Sequence, residues 1–527
     1  MTRTLITAAI GSLAVASAAA VPSAPGRSCS NIPKPCVSHA RVLSVSSTEL
    51  RNHTVAASPP ILNAPVAGVN VCEVNVTLTH PGANDKVTVQ VWLPLDGWNG
   101  RFLSAGGSAW AAGHGPLTLG SYAVQGFAAA STDAGLQGTI ADPSAWALQA
   151  DGHVNTPLLA NFASRSIHDM AVVGKAVTAS YYGQRPKFSY WEGCSTGGRQ
   201  GMVAAQQYPG DFDGILAAAP AIYWTKYVVA ELWPQVVMKE QGYYPSTCEF
   251  AGVRDDAVAA CDQLDGVKDG VISDPGKCKY DPSRLLGKTL DCDGIKTTVG
   301  PALVAIAKKI WEGPKTAAGS RLWYGLPVGA PFDPLAATQV TNGTRVGVPF
   351  FVAQDWARYF IEANPKLDVA GLDSDALRKL FDESAREFAG VIDSSSPNLS
   401  GLQKAGGKLL VWHGGADNVI FPQATAQYYD EVAKSASGGL DGFFRLFIAP
   451  GVDHCAGGSI DGAAPTDALG SLIAWVEKGE APQYLAAATL PTAKTHFTRK
   501  LCPYPLMAKY DGHGDPSDAA SYQCGRS

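Results

Sequence analysis

Phe188-Ser189-Tyr190-Trp191-Glu192-Gly193-Cys194-Ser195-Thr196-Gly197-Gly198-Arg199-Gln200-Gly201 is the stretch on which the fold turns. Phe188 to Trp191 reads as a short strand, and Gly198 to Gln207 as a helix. Between them Gly193 to Gly197 has the form G-x-S-x-G, in the strand–turn–helix context that a nucleophile elbow requires. Small residues flank the serine because the backbone must turn sharply while the hydroxyl stands clear of it. Upstream, Val87 to Leu93 alternates as a strand, Arg101 to Ser104 follows the turn Gly97-Trp98-Asn99-Gly100, and Phe162 to Tyr182 has helical spacing. Downstream, Gly214 to Ala219 is a buried strand. This alternation predicts an α/β fold with a mostly parallel sheet.

From Ile222 the texture changes. Trp224, Trp233, Tyr243 and Tyr244 crowd together, and a Cys- and Asp-rich loop occupies 261–278. Val304 to Trp311 and Asp375 to Phe388 read as amphipathic helices. The strand pattern resumes only at Leu409 to Trp412 and again at Phe444 to Ile448. The simplest organisation is one α/β domain at 21–221 and 397–527, interrupted by an insertion at 222–396.

A chain of 527 residues with 46% hydrophobic and 17% charged residues can bury a large core, which excludes wholesale disorder. The net charge is −5 and no long basic run occurs, which argues against nucleic-acid partners and a polybasic membrane anchor. Arg3, the apolar Leu5 to Ala16, and Ala18-Ala19-Ala20 have the pattern of a secretory signal peptide over residues 1–20. A membrane anchor is the alternative, and the segment is short and Ala-rich for one. In an oxidising compartment the 11 cysteines read mostly as disulfides. The odd count leaves at least one unpaired or pairing outside the chain, and Cys29, Cys36, Cys72, Cys248 and Cys292 remain open for that role. Sequons at Asn52, Asn75, Asn342 and Asn398 suit an extracellular glycoprotein.

If Ser195 is a nucleophile, an acid and a histidine should follow it in that order. Asp417 lies just past Leu409 to Trp412, and His454 just past Phe444 to Ile448. His413 and Asp453 are the rivals. The gap from Ser195 to Asp417 is far longer than a plain core needs, which independently supports an insertion at the catalytic mouth. Cys194 precedes the candidate nucleophile and Cys455 follows the candidate base, so a disulfide between them would staple the base loop to the elbow.

Gly193 to Gly201 together with His454-Cys455 resembles the tannase and feruloyl esterase family, whose members carry a Cys-Ser…Asp…His-Cys arrangement with the two cysteines bonded. The resemblance extends through Trp92-Leu93-Pro94, Gly100-Arg101-Phe102, Asp211-Phe212-Asp213-Gly214 and the 261–275 loop. It implies an α/β-hydrolase core with a large lid inserted between nucleophile and acid, and carboxylesterase activity on esters of aromatic acids. Ser195, His454 and Asp417 would be the catalytic triad. Oxyanion donors would be the Thr196 N–H and, from Ala105-Gly106-Gly107-Ser108, that of Gly107.

The loop from Cys261 to Ile272 spaces its carboxylates at three- and four-residue steps. Alone it reads as a solvated acidic turn. The resemblance implies a structural Ca²⁺ there, with Asp262, Asp265 and Asp269 ligating through side chains and Val267 and Val271 through carbonyls, and with Cys261 bonded to Cys278. Cys502 and Cys524 are also expected to be bonded. The resulting expectation is a secreted, extracellular serine esterase of hydroxycinnamic esters, free or attached to plant cell-wall polysaccharide. A tannase cleaving galloyl esters is the alternative, and a non-catalytic calcium- and glycan-binding wall protein a remote one.

Overall fold

The computed structural model describes residues 28–292, 294–456 and 462–526, so the signal-peptide segment 1–20 lies outside the described residues. Nine strands form the central sheet: β1 (Arg41–Val55), β2 (Val66–Thr79), β3 (Val87–Pro94), β4 (Arg101–Ala105), β5 (Ala128–Thr132), β6 (Phe188–Cys194), β7 (Gly214–Ala218), β8 (Lys408–Gly414) and β9 (Phe444–Ala449). Their spatial order is β1-β2-β3-β5-β4-β6-β7-β8-β9. The six from β5 to β9 in that order run parallel. β1, β2 and β3 are joined antiparallel and meet β5 antiparallel. The sheet is therefore mixed, and the fold is α/β.

Sequence explains the two halves. β5 and β7 are short runs of small and aliphatic residues, buried at every position. Strands covered on both faces have that composition, and parallel neighbours need long crossovers. The helices α1 (Ser166–Tyr182) and α2 (Thr196–Gln207) supply two of them. β1, by contrast, is an edge strand with no buried position before Val55.

Residues 222–396 add no strand to the central sheet among the described residues; their strands pair as two separate hairpins, Thr289–Cys292 with Ile295–Thr298 and Thr338–Thr341 with Thr344–Gly347. Their helices include α3 (Trp224–Ala230), α4 (Thr247–Cys261), α5 (Pro301–Glu312) and α6 (Ser374–Ile392). The segment leaves and returns at one point. Ser394 N–H donates to the Ile222 carbonyl at 2.9 Å, and Thr225 N–H to Asp393 Oδ1 at 2.9 Å. Its core is continuous with that of the sheet. Trp110, near the end of β4, packs against Trp224, Trp356 and Phe360 of the segment, with ring centroids 5.3–6.5 Å apart. Arg199 of α2 is fully buried against Phe162 and Trp224. Its guanidinium donates to the carbonyls of Ala163 and Phe162 at 2.7 and 2.9 Å, and burial lowers its pKa to about 10.

Beyond the segment, α7 (Pro422–Ser435) links β8 to β9, and α8 (Ala468–Lys478) follows. Among the described residues no helix is long and apolar enough to cross a membrane.

Candidate active site

Ser195 stands between β6 and α2 with φ 63° and ψ −121°. A non-glycine residue at positive φ is strained, and such strain persists where the surroundings fix it. Here they do. Ser195 N–H donates to the Ala218 carbonyl at 3.1 Å, and Gly197 N–H to the Gly107 carbonyl at 3.0 Å. A Cβ on Gly193 would lie 2.6 Å from the Gly197 carbonyl carbon, and one on Gly197 would lie 2.9 Å from the Gly107 oxygen. The glycines of the motif are thus required by close approach of three backbone segments.

Asp417 is fully buried at the end of β8. Its Oδ1 accepts the N–H groups of Val419 and Ile420, each at 2.8 Å. Its Oδ2 accepts His454 Nδ1 at 2.8 Å and His413 Nε2 at 3.0 Å. Burial opposes ionisation, but the His454 charge and both imidazole hydrogen bonds outweigh it and hold the carboxyl far below the usual carboxylate range. Burial also pulls His454 down, while Asp417 more than reverses this, so its pKa lies above the ordinary histidine value. With Nδ1 committed to Asp417, His454 keeps Nε2 as the nitrogen able to take a proton.

The disulfide Cys194–Cys455, with Cα atoms 6.1 Å apart, joins the residue before Ser195 to the residue after His454. Cys455 and Ala456 both have positive φ, so the base loop is bent where the bridge holds it. Among the described residues no hydrogen bond joins Ser195 to His454; such contacts are often long until substrate binds.

The rivals separate on geometry. His413 is fully buried. Its Nε2 faces two acceptors, Asp417 and the Ile420 carbonyl at 2.9 Å, so that nitrogen carries a proton, while Nδ1 is hydrogen-bonded to Thr425 Oγ1 at 2.9 Å. It is a buried ring that orients the acid, a role the sequence reading did not give it. The signal was its position four residues before Asp417 on a buried strand. It is Asp417, not Asp453, that holds His454 Nδ1.

Thr196 is the first residue of α2, where an amide has no intrahelical acceptor. Gly107 lies beside the elbow as expected, but its N–H donates to Gln200 Oε1 at 2.9 Å. That amide is already engaged, by a side chain too distant in sequence for local pattern to suggest. Glu231, just after α3, was also unforeseen. It is 1% exposed, and neither of its carboxyl oxygens has a hydrogen-bond partner among the described residues. Burial, reinforced by the Asp417 charge, pushes its pKa well above the carboxylate range.

The acidic loop is organised by its own carboxylates. Asp262 accepts the N–H groups of Asp269 and Gly270 at 3.0 and 3.1 Å. Asp265 accepts those of Val267 and the Ser273 hydroxyl, and Asp269 that of Val271 at 3.0 Å. Asp269 also pairs with Arg499 at 2.5 Å. The carbonyls of the buried Val267 and Val271 accept no hydrogen bond among the described residues. An oxygen-only set with two unspent carbonyls fits a hard cation in kind. The three carboxylates, however, do not each bring an oxygen within 4.8 Å of the others. Cys261–Cys278 closes this loop, and Cys502–Cys524, Cys29–Cys72 and Cys248–Cys292 complete the bridges, leaving Cys36 free and exposed.

A family model described as "Tannase and feruloyl esterase" matches residues 72–525. A protein of Arthroderma benhamiae described as a probable feruloyl esterase is 47% identical over 515 residues, covering 97% of this chain and 96% of that one. Among solved structures, a tannin acyl hydrolase from Aspergillus niger superposes with a TM-score of 0.84 at 26% identity, covering 95% of this chain and 94% of its own. Feruloyl esterase B from Aspergillus oryzae gives a TM-score of 0.77 at 28% identity, over 93% and 97% of the two chains.

Proposed function

This chain belongs to the tannase and feruloyl esterase family and is a carboxylic ester hydrolase, and we propose that it is a secreted serine esterase of hydroxycinnamic esters working through Ser195, His454 and Asp417. The observation that carries this reading is the disulfide Cys194–Cys455, which joins the residue before the strained serine to the residue after a histidine whose Nδ1 is held by a buried carboxylate. Five disulfides support an oxidising, extracellular setting.

The reaction is acyl transfer in two halves. His454 Nε2 takes the proton of Ser195 as its oxygen attacks the acyl carbon. The oxyanion is held by the Thr196 N–H; the Gly107 N–H contributes only by exchanging Gln200 for the oxyanion. His454 then gives the proton to the departing alkoxide, leaving the aromatic acid esterified to Ser195. In the second half His454 deprotonates a water that attacks this ester, the acid is released, and the proton returns to Ser195. Asp417, clamped by two backbone amides and by His413, stabilises the imidazolium in both halves.

Residues 222–396 act as a lid over this centre in our reading. Three contacts support it: Asn418, next to the acid, donates to the Asp333 carbonyl, Tyr324 to Gln427 at 2.8 Å, and Tyr223 to Glu431 at 2.7 Å. In the acidic loop Ca²⁺ would be held by Asp262, Asp265, Asp269 and the carbonyls of Val267 and Val271, neutralising the carboxylates and bracing the lid without entering the reaction.

A hydrolysis panel tests the substrate class: methyl ferulate, methyl caffeate, methyl gallate, p-nitrophenyl acetate and a peptide. The expected result is turnover of the hydroxycinnamates above the rest. Turnover of gallate alone would assign the tannase reading, and cleavage of the peptide without the aromatic esters would overturn both.

A further inference from the structure

Away from the serine, a second group of histidines and carboxylates ties together three separate segments. His39 precedes β1, His80 follows β2, and Asp169 lies in the first turn of α1. His39 Nε2 is 2.7 Å from Asp169 Oδ1, and His80 Nε2 is 3.0 Å from Asp169 Oδ2. One donor atom from each residue lies within 4.8 Å of the others. We propose that His39, His80 and Asp169 form a structural binding site for one divalent first-row transition-metal ion of the zinc class.

Chemistry and geometry both favour such an ion. Two imidazoles and one carboxylate suit zinc, cobalt, nickel or copper and disfavour the oxygen-seeking calcium and magnesium. Metal–ligand bonds of about 2.0–2.1 Å place tetrahedral donors about 3.3–3.4 Å apart, so the present contacts need to open by roughly half an ångström. The ligands are pre-oriented. His80 Nδ1 donates to Asp85 Oδ2 at 2.7 Å, which turns Nε2 towards Asp169. Asp85 is in turn fixed by the Asn161 amide at 2.8 Å, the His80 N–H at 2.8 Å and Arg165 at 3.6 Å. A carboxylate behind a ligating histidine is the usual support of a metal site.

The His39 ring is stacked between His80 and His168, with centroids 6.1 and 5.3 Å away. His168 is itself anchored to Asp211 at 2.7 Å. Asp169 and His80 are buried, whereas the His39 side chain is 37% exposed. That opening gives an ion access and leaves a fourth position for water. The ion would replace the hydrogen bonds that now join Asp169 to each ring. It would bind only the folded chain, because the three segments meet only there, and so would stabilise it.

The test uses the full chain, freed of transition metal by a soft-donor chelator and kept in excess Ca²⁺ so that the acidic loop is not disturbed. Zn²⁺ is added and followed by calorimetry and by Tm, with Co²⁺ added separately and read by its visible absorption. The expected result is one Zn²⁺ per chain, a raised Tm, and a tetrahedral Co²⁺ spectrum. His39→Ala, at a part-exposed position, should fold yet weaken Zn²⁺ binding at least about tenfold, and Asp85→Asn should weaken it about 10- to 100-fold. Absence of saturable Zn²⁺ uptake by the wild type overturns the proposal, as does a His39→Ala protein that binds Zn²⁺ as tightly as the wild type.

Discussion

Asp417 and Asp169 are both fully buried, and each accepts hydrogen bonds from two histidines. At Asp417 both rings converge on one oxygen, and two backbone amides clamp the other. One ring, His413, is closed off by Thr425, so only His454 retains a nitrogen for proton transfer. At Asp169 the rings take different oxygens, and no backbone amide reaches the carboxylate among the described residues. The lesson is that residue types alone do not decide the chemistry. In the readings proposed above, the amide-clamped Asp417 orients a base, and Asp169, held only by side chains, is free to become a ligand.

The largest effect should come from the residue that only the first cluster has beside it. Ser195→Ala should lower kcat for methyl ferulate by more than about 10⁴-fold with an unchanged Tm, since a small catalytic group is lost. A folded mutant keeping several per cent of the activity would remove Ser195 from the reaction. Asp417→Asn should follow, at about 10⁴-fold in kcat. It should also move the pH profile. The base must be neutral to act, and Asp417 raises the His454 pKa. The acid limb of kcat/KM in the wild type should therefore have an apparent pKa above about 6.5. In Asp417→Asn that limb should shift to lower pH; an unmoved limb would break the assignment of Asp417 as the partner of His454.

Next is the bridge that the second cluster lacks. Replacing Cys194 and Cys455 by Ala should cost about 3 kcal/mol of stability. It should also cost about 10²-fold in turnover, because the base loop is no longer held at the serine. If the double mutant melts earlier but keeps its turnover number at low temperature, the bridge braces the chain and does not position the base. The smallest effect on rate belongs to the acidic loop. Exhaustive calcium chelation should lower Tm by several degrees while leaving turnover at 25 °C within about twofold. An unchanged melting curve together with no metal by elemental analysis would end the calcium assignment.

Much of the candidate site was legible because its signals are local. Gly193, Gly197 and a strand–turn–helix context mark the elbow, and Asp417 and His454 each follow a buried strand. What was not legible depends on residues far apart in sequence. The Gly107 amide is taken by Gln200 of α2, and Trp110 packs on Trp224 and Trp356, so the core runs across the boundary at 222 without interruption. His39, His80 and Asp169 come from three elements and form no motif along the chain. β1 has no clean alternation because, as an edge strand, it has little to bury.

The hydrogen bond from Ser394 to Ile222 brings the two ends of a long excursion to one spot on the sheet. A chain that leaves and re-enters at the same place imposes almost no constraint on the length of what lies between. If the segment is the lid proposed above, it would be free to vary as a cassette. Its hairpins and surface loops can lengthen, shorten or be replaced while the strand order stays fixed. The aromatic residues that bury Trp110 are the part that cannot be exchanged freely. In the proposed reading, relatives built on this scaffold would differ in the esters they accept while keeping the same strained serine.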